Sequence, residues 1–134
     1  VLLSIAVLWQ RPVLRRLRQG QGEPAALITC FVGAALLGAL HAGLLLWALL
    51  AGELAPRATA HDAVIVVMLV YSLVHGVLAS ILSALQALRV YYGYVCKRTP
   101  YEPLVVEQFW QYSLAVMWIS YCSVVLFPPT FGGV

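Results

Sequence analysis

The sequence predicts an all-α fold, a polytopic transmembrane helix bundle with three full spans plus the end of a fourth. Three observations carry that expectation. Hydrophobic residues make up 63% of the 134 residues and charged ones 10%, with a mean hydropathy of +0.91; soluble domains carry roughly a quarter charged residues. From Ala63 to Leu88, about 26 residues pass without Asp, Glu, Lys, Arg or Pro, where a bilayer-spanning helix needs roughly 20. Within that stretch small and polar residues recur three or four apart: Ser72, Gly76, Ser80 (or Ala79), Ser83 and Gln86. Such a stripe lets helix backbones approach closely, and with His75 beside it forms the predicted helix-packing set.

Short connections make residues 1–134 one module. No segment has the charged start, short apolar run and small-residue cleavage site of a secretory signal. Val1–Trp9 is apolar but too short to cross a membrane. Ending at Gln10–Arg11–Pro12, residues 1–10 read as the last turns of a helix that begins upstream. A basic loop, Arg11–Pro24, follows. Pro24 opens the second helix, Ala25 to about Ala51, in the first-turn position that proline favours. Its small residues form two candidate close-approach rows, Ala35–Ala39–Gly43 and Gly38–Ala42.

Thr59 or Asp62 caps the third helix, since either side-chain oxygen can accept an orphan first-turn amide. Helical from His61 to Gly93, it is on the order of 50 Å long and tilts or protrudes from a hydrocarbon core of roughly 30 Å. Pro100 and Pro103 are expected to end it. The fourth helix runs from near Val105 to Phe127, where Pro128–Pro129 stop it.

Charge sets the orientation. Arg11, Arg15, Arg16, Arg18, Arg89, Lys97 and Arg98 are seven of the eight basic residues, and all fall in 11–24 or 89–105. Positive-inside weighting puts those two segments in the cytoplasm and the C terminus outside. Arg89, Lys97 and Arg98, with Tyr91, Tyr92 and Tyr94, form a basic and aromatic cluster suited to an anionic lipid head group. The arginines lack the aromatic interleaving and extent of a nucleic-acid surface.

No glycine-rich phosphate loop, nucleophile elbow or His/Cys metal spacing occurs, so no catalytic or metal-binding residue is assigned. Cys30, Cys96 and Cys122 share no close spacing and read as apolar packing residues. His41 and His75 lie on antiparallel neighbours at depths differing by about 5 Å, which makes them alternative axial ligands of a haem. The plainer reading gives each a carbonyl or hydroxyl of a packed neighbour. Haem propionates also need cationic partners, and the nearby outer end offers Arg57 against Glu53 and Asp62.

The run Ala60-His61-Asp62-Ala63, then Tyr71, His75-Gly76, Gln86, Arg89 and Gly93, resembles the last part of haem–copper cytochrome c oxidase subunit III. It is most like the version fused behind subunit I in bacterial I+III polypeptides. Phe109-Trp110-Gln111-Tyr112 stands where that family's final helix carries a Trp, a polar or His residue and an aromatic, and Leu126-Phe127-Pro128 is also similar. The resemblance covers about Ala55 to Pro129. The chain departs from the family at Leu78, where a second His is frequent, and at apolar positions such as Leu114, where an acidic residue is usual.

The resemblance implies an accessory module with no haem or copper of its own, both belonging to the partner catalytic subunit. Such a module packs on oxidase subunit I, fused or separate, and on subunit II in the bacterial inner membrane. It holds phospholipid and supports stability and proton uptake, while proton-pumping O2 reduction belongs to subunit I. Two other readings stay open. One is a haem-b-binding anchor of another respiratory complex, using His41 and His75; the other is a helical piece of a transporter or assembly factor.

Overall fold

The computed structural model describes residues 1–52, 60–94 and 101–126, without the side chains of His61 and of 123–126. Among them are four helices and no strands: α1 (Leu2–Arg18), α2 (Pro24–Ala51), α3 (Ala60–Tyr91) and α4 (Tyr101–Leu126). Each packs on two others, α1 on α2 and α4, and α3 on α2 and α4, with α2 and α3 sharing the most extensive contact. Lys97, Arg98, Cys96, Pro100, Arg57 and Phe127–Pro128–Pro129 lie outside the described residues.

α1 corrects the expectation for the N-terminal segment. It does not stop at Pro12 but continues to Arg18, so most of the expected loop 11–24 is helix. Proline there removes one amide donor and crowds the preceding turn. Packing outweighs that cost. Leu3, Val7, Gln10, Leu14 and Leu17 are all buried, a three- and four-residue spacing that runs unbroken across Pro12 and keeps one stripe against α2 and α4. The arginines Arg11, Arg15, Arg16 and Arg18 therefore stand on a helix surface.

α1 and α3 end by the same device. Gly20 and Gly93 have φ of +74° and +75°, the left-handed region that side chains resist. Gly20 N–H donates to the Leu17 carbonyl and Gln21 N–H to that of Arg16; Gly93 N–H donates to Val90 and Tyr94 N–H to Arg89. Both are Schellman motifs, which satisfy the orphan carbonyls of a helix end. Gly93, not a downstream proline, thus terminates α3. Pro103 belongs to the first turn of α4, where its missing amide has no intrahelical acceptor in any case. α4 accordingly begins four residues earlier than expected, at Tyr101.

Among the described residues, two helices are long and apolar enough to cross a membrane, Pro24–Ala51 and Asp62–Tyr91. Only 17% of the most apolar window of each is buried. Outward faces carry Leu36, Leu40, Leu44 and Leu50 on α2, and Val67, Val74, Val77, Ile81, Leu85 and Leu88 on α3. A core helix of a water-soluble domain would bury such residues.

Candidate functional site

The inner face of α3 is built from its small residues. Ser72, Gly76, Ala79, Ser83 and Gln86 are buried, and Ser80 is partly so. The partner row on α2 is Gly38–Ala42, both buried, while Ala39 and Gly43 are exposed. Of the second small-residue row expected on α2, Ala35 is half-buried beside Ala84 and Ala87 of α3, while Ala39 and Gly43 lie off the helix contact. At the crossing, a Cβ added to Gly38 would collide with Ser80 Oγ and stand 3.0 Å from Trp110 Cη2 and 3.3 Å from the Gly76 carbonyl oxygen. Only glycine fits there. Trp110 of α4 is fully buried, and its indole N–H donates to Ser83 Oγ at 2.8 Å. Ser80 Oγ donates to the Gly76 carbonyl at 2.8 Å. The Trp110–Ser83 bond thus joins α4 to α3, and α2 closes on both at Gly38, all within this chain.

The two histidines have different settings. His75 lies beside Tyr71 and Phe109, with ring centroids 4.0 and 6.1 Å away, and its Nδ1 is 2.9 Å from the Tyr71 carbonyl oxygen. That contact is the carbonyl one turn back on its own helix. His41 packs towards Gly76, whose added Cβ would lie 3.2 Å from His41 Cδ2. Its Nε2 is buried without a hydrogen-bond partner, unlike the satisfied ring that sequence reasoning expects. His41 lines a largely apolar cavity of about 300 Å³ with Val1, Leu3, Leu114, Met117, Trp118 and Tyr121. His75 is not among the residues lining it.

Polar chemistry concentrates at the other end of the bundle. Glu107, one turn and a half into α4, is 5% exposed. Arg18 Nη2 donates to its Oε2 at 2.9 Å and Gln111 Nε2 to its Oε1 at 3.1 Å, so the buried carboxylate has both oxygens engaged. A cavity of about 270 Å³ opens here between α1 and α4, lined by Arg11, Arg15, Arg18, Glu107 and Gln111. Arg89, assigned to a lipid head group, is half-exposed and pairs with Glu102 at 2.9 Å across the α3–α4 connection. Deeper along the α1–α4 contact, Gln10 and Ser113 are each 1% exposed, and neither side chain has a partner. The Arg18–Glu107 pair on one side and Trp118 Nε1, 3.4 Å from Ser4 Oγ, on the other bracket them.

Sequence reasoning passed over Glu107, Arg18 as its partner, and the burial of Gln10 and Ser113. One signal was present: Glu107 and Gln111 stand four apart on α4, the spacing at which side chains on one helix face meet. Among the described residues no group of three or more His, Cys, Asp or Glu is placed to hold a metal ion. Comparison with protein-family models, with curated proteins and with solved structures finds no match for this chain.

Proposed function

We propose that this chain is a membrane-embedded, non-catalytic helical module that acts as an accessory part of a haem–copper terminal oxidase. The observation that carries the membrane part is the inverted packing of α2 and α3: long apolar helices whose Leu and Val faces point away from the bundle. In water those faces form an exposed patch far larger than soluble monomers tolerate. In lipid they need no cover. The inner face of α3 is, by contrast, where its small, hydroxyl and amide side chains lie: Ser72, Ala79, Ser83 and Gln86 are buried.

The oxidase part rests on the motif resemblance along α3 and α4. Its orientation rests on charge. The five described arginines stand at the end of the bundle shared by the C termini of α1 and α3 and the N termini of α2 and α4, which the positive-inside tendency assigns to the cytoplasm. The reading without a redox centre in this chain draws on the histidine geometry. Axial ligation of one haem needs two rings facing one cavity, and the cavity beside His41 is bounded by α1 and α4 residues, not by His75.

Two measurements test the proposal. Alkaline carbonate should leave the full protein in the membrane fraction, and a tagged protein isolated from mild detergent should bring down a copper-containing haem protein. Carbonate extraction into the supernatant refutes the membrane reading. Retention in the membrane with no haem–copper partner refutes the oxidase reading alone. Haem that persists in the isolated chain and is lost on His41→Gln would replace it with the haem-anchor reading.

A further inference from the structure

We infer that the cleft between α1 and α4 at the arginine-rich end binds the phosphate group of an anionic phospholipid. This inference rests on the membrane reading above and concerns residues distinct from Arg89, Lys97 and Arg98. The cleft is lined by Arg11, Arg15, Arg18, Glu107 and Gln111. Three guanidiniums against one carboxylate leave it with two positive charges. Glu107 is already committed, accepting from Arg18 and from Gln111. Among the described residues no carboxylate pairs with Arg11 or Arg15. These two arginines stand four apart on one face of α1, aimed at the same cavity. Guanidinium forks match phosphate oxygens bidentately, a geometry that an ammonium cannot reproduce.

The buried Glu107 has a definite part in this arrangement. By holding Arg18 at 2.9 Å, it fixes one wall of the cleft and leaves the remaining donors of that guanidinium to a ligand. The source of the phosphate follows from the rim. Leu8, one turn before Arg11 on the same face of α1, is 61% exposed. A charged cleft with an apolar lip suits a head group whose acyl chains continue along the helices. A small soluble phosphate ester has no use for such a lip.

The test uses the full protein in detergent, stripped of lipid, with native mass spectrometry after addition of phosphatidylglycerol, phosphatidylcholine of the same chain length, or inorganic phosphate. Phosphatidylglycerol should be retained in preference to phosphatidylcholine. Arg15→Gln should weaken its retention about fivefold and Arg11→Gln/Arg15→Gln roughly thirtyfold, the scale of one and two basic side chains at a lipid surface. Arg16→Gln removes the same charge from the same helix but lies outside the cleft, and should change retention less than twofold. Equal losses for Arg15→Gln and Arg16→Gln, or equal retention of the two lipids, overturn the site. Displacement of phosphatidylglycerol by millimolar inorganic phosphate overturns the lipid as its source. Carbonate extraction, which none of these substitutions should alter, reads the membrane assignment separately.

Discussion

Gly38→Ala is the sharpest probe of how the bundle is held together, with Gly43→Ala on the same helix as its control. Alanine is about 1 kcal/mol better than glycine in a helix interior, so both substitutions begin with the same intrinsic gain. They then diverge. At Gly43 nothing lies within 4 Å of an added Cβ, and the gain stands. At Gly38 the methyl meets Ser80 Oγ and, at 3.0 Å, Trp110 Cη2. Neither can yield freely: Ser80 is tied to the Gly76 carbonyl and Trp110 to Ser83. Overpacking of this kind costs typically 1–3 kcal/mol, leaving a net loss of up to about 2 kcal/mol. The two variants should therefore differ by about 2 kcal/mol, roughly thirtyfold in the folding equilibrium. Reversible unfolding in mixed detergent micelles, followed by far-ultraviolet circular dichroism, measures this. Ser80→Ala added to Gly38→Ala removes the oxygen in the way and should recover part of the loss, a coupling that independent sites would not show. If both glycine variants shift the midpoint in the same direction by similar amounts, the α2–α3–α4 crossing is not the constraint described.

Three further outcomes follow from the geometry. Gly93→Ala places a Cβ in left-handed backbone and should cost about 1–2 kcal/mol, seen as faster amide hydrogen exchange at Tyr92 and Tyr94 with the far end of α3 unchanged. Arg18→Gln leaves the Glu107 carboxylate buried with only Gln111 as partner and should destabilise by about 1–3 kcal/mol; Glu107→Gln in the same background should restore part of that loss in the same detergent unfolding assay. Gln10→Leu removes two buried polar atoms without protein partners and should be neutral or stabilising by up to about 1 kcal/mol, whereas a loss above that in the unfolding midpoint would mean the amide is bridged by bound water.

Much of the fold was legible because helices apolar enough to cross a membrane are written in long uninterrupted runs. α2 and α3 are such runs, and Pro24 marks the start of α2 where proline is preferred. Their boundaries were less legible. Proline looks like a terminator in a sequence, yet Pro12 lies inside α1 and Pro103 inside the first turn of α4. What decides is whether the buried stripe continues beyond it, and in α1 the stripe continues through Leu14 and Leu17. The real terminators, Gly20 and Gly93, share a local pattern that could have been read: an arginine four positions before the glycine, in Arg16–Gly20 and Arg89–Gly93. Each arginine also places a cation at the negative end of its helix dipole.

The chemistry of the charged end was harder to read, for a reason specific to Glu107. A carboxylate six residues into a helix, with Val105 and Val106 before it and Gln108 and Phe109 after it, gives no local sign of whether it faces water or the bundle. Its position is settled by α1, nearly ninety residues earlier in the chain: Arg18 and Glu107 are 89 apart in sequence. Once α1 is known to be helical past Pro12, the rest follows. The stripe that buries Leu14 and Leu17 turns Arg11, Arg15 and Arg18 towards α4, and α4 has Glu107 and Gln111 on the facing side. The misplaced end of α1 and the missed carboxylate are therefore one error. Read as a loop, the four arginines signal only topology; read as a helix, three of them become the wall of a cleft with a carboxylate at its base.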